Sequence, residues 1–242
     1  MKLRLDPSTP DGSIADRARS AILEAILDRR FGARLPPEEE LAVMLGVSRT
    51  SVRDALEGLE TRGLIRRRRS IGTTVNANFT PAALALDRLI GFDWLLRESG
   101  HRVHVEASWT FAPTPQSFLE AFSIAEDVES CVFEKTFFAD GAPAIGIVDA
   151  IPAKNLVRRR FRKNVPSLFE FSRLYCHQPI DFTLVRLTPM VAGADGTHLA
   201  SIAEHAPFLR LFETHYAHDS VLGWSIIDVN NDYVVFDVAR RH

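Results

Sequence analysis

Cysteine is scarce in this chain: Cys131 and Cys176 are the only two in 242 residues. Two thiols cannot build a disulfide framework or a four-cysteine zinc site, and they fit a reducing compartment, where they are expected as core thiols. Long hydrophobic runs are missing too. No apolar stretch approaches the roughly 18 residues of a membrane span, and no secretory h-region opens the sequence. A soluble cytoplasmic protein is therefore expected. Hydrophobic residues make up 46% and charged residues 25%, a balance that excludes wholesale disorder. The length suits one large domain or two small ones, at roughly 100–200 residues each.

The net charge of −2 hides an asymmetry. Residues 1–78 hold 14 Lys+Arg and 11 Asp+Glu, net +3, and the remaining residues hold 15 and 20, net −5. Within the first part, residues 48–69 carry seven arginines against three acids, and Arg66 to Arg69 are consecutive. Such a cluster suits a nucleic-acid polyanion; a merely solvated charge run is the plainer alternative.

Periodicity separates the two. In residues 14–29, Ile14, Ala18, Ala21, Ile22, Ala25 and Ile26 recur at helical spacing. After Pro36-Pro37, the acids Glu38, Glu39 and Glu40 suit the first turn of a second helix, which is expected to bury Leu41, Met44 and Leu45 and to stop at Gly46. Ser48 offers a hydroxyl to cap a third helix over about 49–61. There Val52, Ala55, Leu56 and Leu59 form the apolar stripe and Arg49, Thr50 and Arg53 project from the other side. Two helices about a Gly-containing turn, with arginines and hydroxyls at the start of the second, are helix-turn-helix geometry. Arginine bonds guanine O6 and N7 bidentately, and Ser and Thr reach phosphates or base edges. LIRRRRSIGTTV then reads as two short strands around a Ser-Ile-Gly tip, a basic wing whose arginines track the phosphate backbone.

The stretch LPPEEELAVMLGVSRTSVRDALEGLETRGLIRRRRSIGTTV resembles the winged helix of the GntR family of bacterial regulators, over about residues 12–77. By that resemblance Ser48, Arg49, Thr50, Ser51 and Arg53 match recognition-helix contacts, and the wing around Arg69 to Thr73, Gly72 included, matches a minor-groove contact, while Arg67 and Arg68 join the expected DNA-binding set as phosphate contacts. Three positions depart from the family pattern. Pro37 replaces a capping serine, Glu39 stands where a DNA-contacting arginine is frequent, and Ser70 replaces the first wing glycine.

Beyond a short linker, taken as 78–83, the period changes to two. Val103, Val105, Ala107, Trp109 and Phe111 alternate as in a half-buried strand, and a helix is expected at about 115–122. CVFEKTFFADGAPAIGIVDAI reads as a hairpin turning at Asp140-Gly141 and ending at Pro152. A helix near 166–176, a strand near 180–190, a helix near 195–205 and at least two strands between 208 and 239 complete an α+β domain with an antiparallel sheet. The pieces ADG-x-P, AIP, SLFEF, WSIIDVNND and F-x-V-x-R resemble the effector (UTRA) domain of the HutC-type branch of GntR regulators, of chorismate-lyase-like fold, over residues 84–242. The strand alternation argues against the all-helical, often metal-bearing sensing domain of the other large branch.

That resemblance implies a small metabolite beside the sheet, gripped by basic residues on the strand before the ADG turn. Lys135 matches the first such position, Phe137 falls on the second, and Asp149-Ala150 replaces a frequent Ser-Tyr. The effector-contact set is Lys135, Phe137, Asp149, Trp224 and Ser225, and the carboxylate favours a weakly anionic, zwitterionic or aromatic-bearing effector over a phosphate. Packing at Phe137 and a turn at Asp149 are the plainer alternatives. Glu213, His215, His218 and Asp219 make a weak metal set because 215 and 218 point to opposite faces of a strand. RRRFRK at 158–163 reads as a solvated loop, with a DNA or dimer contact as the alternative. No motif orders a nucleophile, so no catalytic residue, metal or cofactor is expected.

The expected protein is a cytoplasmic transcription regulator: a DNA-binding domain over 1–77 joined to an effector-binding and dimerisation domain over 84–242. Its partners are double-stranded DNA with a palindromic operator, a second copy and a small-molecule metabolite. The alternatives are a chorismate-lyase-like enzyme fused to a DNA-binding domain, and a structural DNA-binding protein with a vestigial pocket.

Overall fold

A computed structural model describes residues 3, 13–61, 63–76, 92–124, 128–157, 167–193, 196–199 and 202–236. The linker at 78–83, the run at 158–163 and the chain end from 237 lie outside them. The chain divides into two compact units, one ending at Ala83 and the other spanning Leu84–Phe236.

In the first unit, α1 (Ile14–Leu27) starts at a capping box in which Ser13 Oγ accepts from the Asp16 amide and Asp16 accepts from the Ser13 amide. Its buried face is Ala18, Ala21, Ile22, Leu23 and Ala25, whereas Ile14 is half exposed. Helix α2 (Glu38–Leu45) has no side-chain cap at Pro37, so its three acids meet the dipole without one. It buries Leu41, Ala42 and Leu45, with Met44 only partly covered, and ends at Gly46, whose φ of 67° is one an L side chain resists. Helix α3 (Arg49–Thr61) buries the expected stripe of Val52, Ala55, Leu56 and Leu59. Strands β1 (Ile65–Arg68) and β2 (Gly72–Val75) pair antiparallel with Arg67 opposite Thr73. Residues 33–35 add a short outer rung: the Leu35 amide donates to Thr73 O and the Val75 amide to Ala33 O.

The second unit is a six-stranded antiparallel sheet ordered β3-β4-β5-β8-β7-β6. It is built from β3 (Val103–Pro113), β4 (Glu129–Ala139), β5 (Ala142–Pro152), β6 (Phe182–Val191), β7 (Pro207–Ala217) and β8 (Ser220–Val229). The β4–β5 hairpin turns through Asp140 and Gly141 at φ 52° and 92°, the paired positive values of a type I′ turn. Among the described residues three α-helices accompany the sheet: α4 (Phe92–Glu98), which the sequence reading missed, α5 (Gln116–Phe122) and α6 (Leu168–Tyr175). On one face α6 seals Phe133, Ile151 and Cys131 beneath Phe171 and Tyr175; on the other, Phe118 of α5 packs on Val132, Val148 and Ile226. Both cysteines are buried in the first cluster, and burial pushes each thiol up to about 12.

The helix expected near 195–205 is absent from the described residues there, which form bends and turns. Thr197 Oγ1 and the His198 amide both donate to Asp228 Oδ2, at 3.0 and 2.7 Å, and Arg210 Nη2 donates to Gly196 O. These bonds to the sheet replace the local ones a helix would make. Residues 230–236 likewise add no strand.

Candidate functional site

At the start of α3, Ser48 Oγ accepts from the Ser51 amide at 3.1 Å, which fixes where the helix begins. The following turn leaves Arg49, Thr50 and Arg53 exposed on the side opposite the apolar stripe. The two arginines do not stand alone. Arg49 Nη1 donates to Glu39 Oε1 at 2.6 Å, and Arg53 Nη2 donates to Glu38 Oε2 at 3.2 Å. The acidic first turn of α2 thus meets the basic first turn of α3.

The wing arginines divide by strand alternation. Arg66, Arg68 and Arg69 are exposed, while Arg67 turns inward. Its amide and its Nε donate to the two oxygens of Glu60, at 2.8 and 2.7 Å, and Glu38 approaches to 4.0 Å. The expectation that Arg67 lies free along a phosphate backbone is therefore corrected: it clips the wing to α3. Gly72 and Thr73 sit where β2 leaves the tip, with Gly72 at φ 87°.

In the second unit, Lys135, Asp149 and Ser225 meet on the face covered by α6. Lys135 Nζ donates to Asp149 Oδ2 at 3.0 Å, and Ser225 Oγ donates to Asp149 Oδ1 at 2.5 Å. His215 Nε2 contacts the same serine oxygen at 2.7 Å, and Thr183 Oγ1 contacts His215 Nδ1 at 2.8 Å. Because the serine proton goes to the carboxylate, His215 must donate from Nε2 and accept at Nδ1 from Thr183. The result is a one-way relay from Thr183 through His215 and Ser225 to Asp149. Asp149 is 2% exposed and Ser225 and His215 1%, so bulk water does not reach these three groups.

Glu213 lies opposite Ser225 across the β7–β8 ladder, with Oε2 3.7 Å from His215 Nε2. Burial, with the nearby Asp149 charge second, pushes its carboxyl up to about 8. Burial also pushes the His215 imidazole down to about 4, Asp149 opposing the shift and Lys135 adding to it. Sequence reading missed Thr183, Glu213 and His215 as members of this cluster. Only strand register brings them together.

Two members of the expected effector set fall elsewhere. Phe137 packs its ring edge-on against Phe92 of α4, with centroids 6.1 Å apart, and is nearly buried. Trp224 points to the opposite face from Ser225, as adjacent strand residues must, and lies tilted against Phe122 of α5, with ring centroids 6.2 Å apart. It lines a separate cavity of about 570 Å³ with Ile124, Val128, Lys154 and Val221. Lys135 itself is not a free cation, since Asp149 already takes its hydrogen bond.

The Ser225–His215 contact has the wrong polarity for nucleophilic catalysis. A catalytic serine gives its proton to histidine while a carboxylate holds the other ring nitrogen; here the carboxylate holds the serine and a threonine holds the ring. Among the described residues no three His, Cys, Asp or Glu side chains are grouped to hold a metal ion, and no helix is long and apolar enough to cross a membrane.

Residues 13–75 match the model of the family described as bacterial regulatory proteins, gntR family. The HTH-type transcriptional regulator Rv0494 of Mycobacterium tuberculosis is 42% identical over 89 residues, which cover 34% of this chain and 37% of that protein. The Uxu operon transcriptional regulator of Escherichia coli is 55% identical over 47 residues, 19% of this chain and 18% of its own. The matched region thus spans less than two fifths of these relatives' length. Among solved structures, the possible transcriptional regulator YydK of Bacillus subtilis has a TM-score of 0.64 at 16% identity, covering 95% of this chain and 100% of that one. PhnF of Mycobacterium smegmatis has a TM-score of 0.52 at 18% identity, covering 93% and 99%. At such identities the likeness is one of fold: an N-terminal helix-turn-helix domain followed by an antiparallel-sheet domain.

Proposed function

We propose that this chain, whose residues 13–75 form a GntR-family helix-turn-helix domain, is a sequence-specific DNA-binding transcription regulator whose operator affinity is set by a small-molecule metabolite. The observation that carries the reading is the exposed pair Arg49 and Arg53 at the capped start of α3, beside a wing exposing Arg68 and Arg69. That places donors for guanine edges next to donors for phosphate. One small reading head makes too few base contacts for high specificity, so the acting form is a homodimer on a palindromic operator with half-sites about ten base pairs apart. The outer strand β6 supports it: among the described residues it pairs on one side only and leaves Phe182, Leu184, Leu187 and Val191 exposed, a surface that a second copy would cover. The place of action is the cytoplasm, where operator DNA is found.

The sensing site lies at Lys135, Asp149 and Ser225, extended by His215 and Glu213. An effector entering there meets a lysine already balanced by a carboxylate, which disfavours a phosphate and favours a weakly anionic, zwitterionic or aromatic-bearing molecule. Ligand binding relieves repression by favouring a dimer geometry that misplaces the reading heads. We read the sheet domain as a sensor and not an enzyme, since its buried serine and histidine are oriented against nucleophilic attack.

Selection of duplexes from a randomised library by the full-length chain tests the DNA reading. A two-fold symmetric sequence should enrich, and enrichment of nothing would overturn it. Thermal-shift screening of metabolites tests the sensor, because a ligand at 100 times its dissociation constant stabilises by about 2.7 kcal/mol. For the ligand so found, Lys135→Ala should weaken calorimetric affinity, and saturating ligand should lower operator affinity. Unchanged values would remove the site and the switch respectively.

A further inference from the structure

The acidic turn facing the reading arginines has a chemical consequence that rests on the DNA-binding reading above. Glu39 is the most exposed member of the group, with 71% of its side chain accessible, yet its Oε1 lies 2.6 Å from Arg49 Nη1. In the free chain this carboxylate therefore sits beside Arg49 on the surface that the reading above offers to DNA. Its other oxygen, Oε2, takes no hydrogen bond among the described residues. Glu38 differs: it is only 26% exposed and lies between Arg53 at 3.2 Å and Arg67 at 4.0 Å, inside the domain's own ion-pair cluster.

An ionised carboxylate only accepts hydrogen bonds. DNA phosphates and the guanine O6 and N7 edge offer it no donor, so a Glu39 carried into the groove by Arg49 finds partners only at exocyclic amino groups. In the major groove these are cytosine N4 and adenine N6, and a carboxylate pairs with cytosine N4 because adenine presents its N7 acceptor beside its amino group. Arg49 supplies the complementary half, two donors for guanine O6 and N7. We infer that Glu39 is a specificity-determining residue that reads a cytosine amino group next to the guanine read by Arg49, so that the two side chains decode a two-base step as one hydrogen-bonded unit. The pair is matched in charge, so this reading adds little non-specific attraction; that falls to Arg68 and Arg69.

The test is parallel selection from one randomised duplex library with the full-length native chain and the variants Glu39→Gln, Glu39→Ala and Glu40→Gln. Glu40 is exposed in the same turn and makes no hydrogen bond or ion pair to α3 among the described residues, so its variant removes the same charge without the pairing. The native chain should prefer cytosine at one position per half-site by about tenfold. Glu39→Gln should shift that position to adenine, whose N6 and N7 match an amide, Glu39→Ala should flatten it, and Glu40→Gln should leave it unchanged. Identical preferences in native and Glu39 variants, including a uniform rise in affinity for all sequences, would overturn the inference and leave Glu39 an electrostatic brake on Arg49. Enrichment of no sequence by the native chain would instead overturn the regulator reading from which the inference starts.

Discussion

Glu213 and His215 sit side by side in the sheet with ionisation pulled in opposite directions, about 8 and about 4 against ordinary values of 4.5 and 6.5. The raised carboxyl keeps a proton in the folded chain that the unfolded chain loses, so its contribution to stability is full below about 4.5 and fades as pH climbs to about 8. The lowered imidazole does the reverse, withdrawing stability as pH falls from about 6.5 to about 4. The two slopes oppose each other at mildly acidic pH, and between about 6.5 and 8 only the Glu213 slope remains. Urea unfolding should therefore show stability falling through that window, by at most about 1.4 kcal/mol per pH unit, and Glu213→Gln should remove the fall. A larger effect is expected at Asp149. Its replacement by Ala strands the buried Lys135 and should cost about 3–5 kcal/mol, whereas replacing both by Leu and Met should restore much of the loss. On the DNA side, Arg49→Ala or Arg53→Ala should cost about 1–3 kcal/mol in operator binding and relax base preference, read by competition titration against random duplex.

At the scale of elements, Gly146 marks how the sheet is roofed. A Cβ there would meet His198 O at 2.5 Å, a backbone atom of a residue that Asp228 holds in place. Gly146→Ala should therefore displace the 196–199 segment and lower Tm, although β5 itself loses no hydrogen bond. Leu184→Glu on the free edge of β6 should leave the fold intact and shift sedimentation from dimer to monomer if that edge is where two copies meet. What the sequence made legible follows the same division. The stripes of α3 and the Asp140-Gly141 turn are written within a dozen residues, so periodicity and turn chemistry find them. The rung at 33–35 has no period of its own, and α4 covers only seven residues. The 196–199 segment is held by side chains from β7 and β8, a tertiary bond set that overrides its local preference.

For the whole molecule, the start of α3 and the Asp149 cluster differed in legibility for a physical reason. Ser48, Arg49, Thr50 and Arg53 are neighbours in the chain, and one helix start carries them all to the same surface. The relay joins Asp149 to Ser225, 76 positions apart, and Thr183 to His215, 32 apart, so it exists only once the strand order is fixed. Arg67 and Trp224 went astray for a simpler reason, since strand alternation sends neighbours to opposite sides. Function at this scale is measurable through salt. Alanine at Arg68 or Arg69 should weaken binding to every duplex alike and flatten the dependence on log salt by about 0.9 for each phosphate that is no longer neutralised. The relay has one more consequence. The His215 imidazole and Ser225 hydroxyl protons are shut away from bulk water, so they should exchange slowly enough to give resolved proton resonances downfield of the amide envelope. Those lines would act as a built-in, label-free gauge of the proposed sensing site: any molecule that enters between Asp149, Ser225 and His215 must shift or erase them, before its identity or its effect on DNA is known.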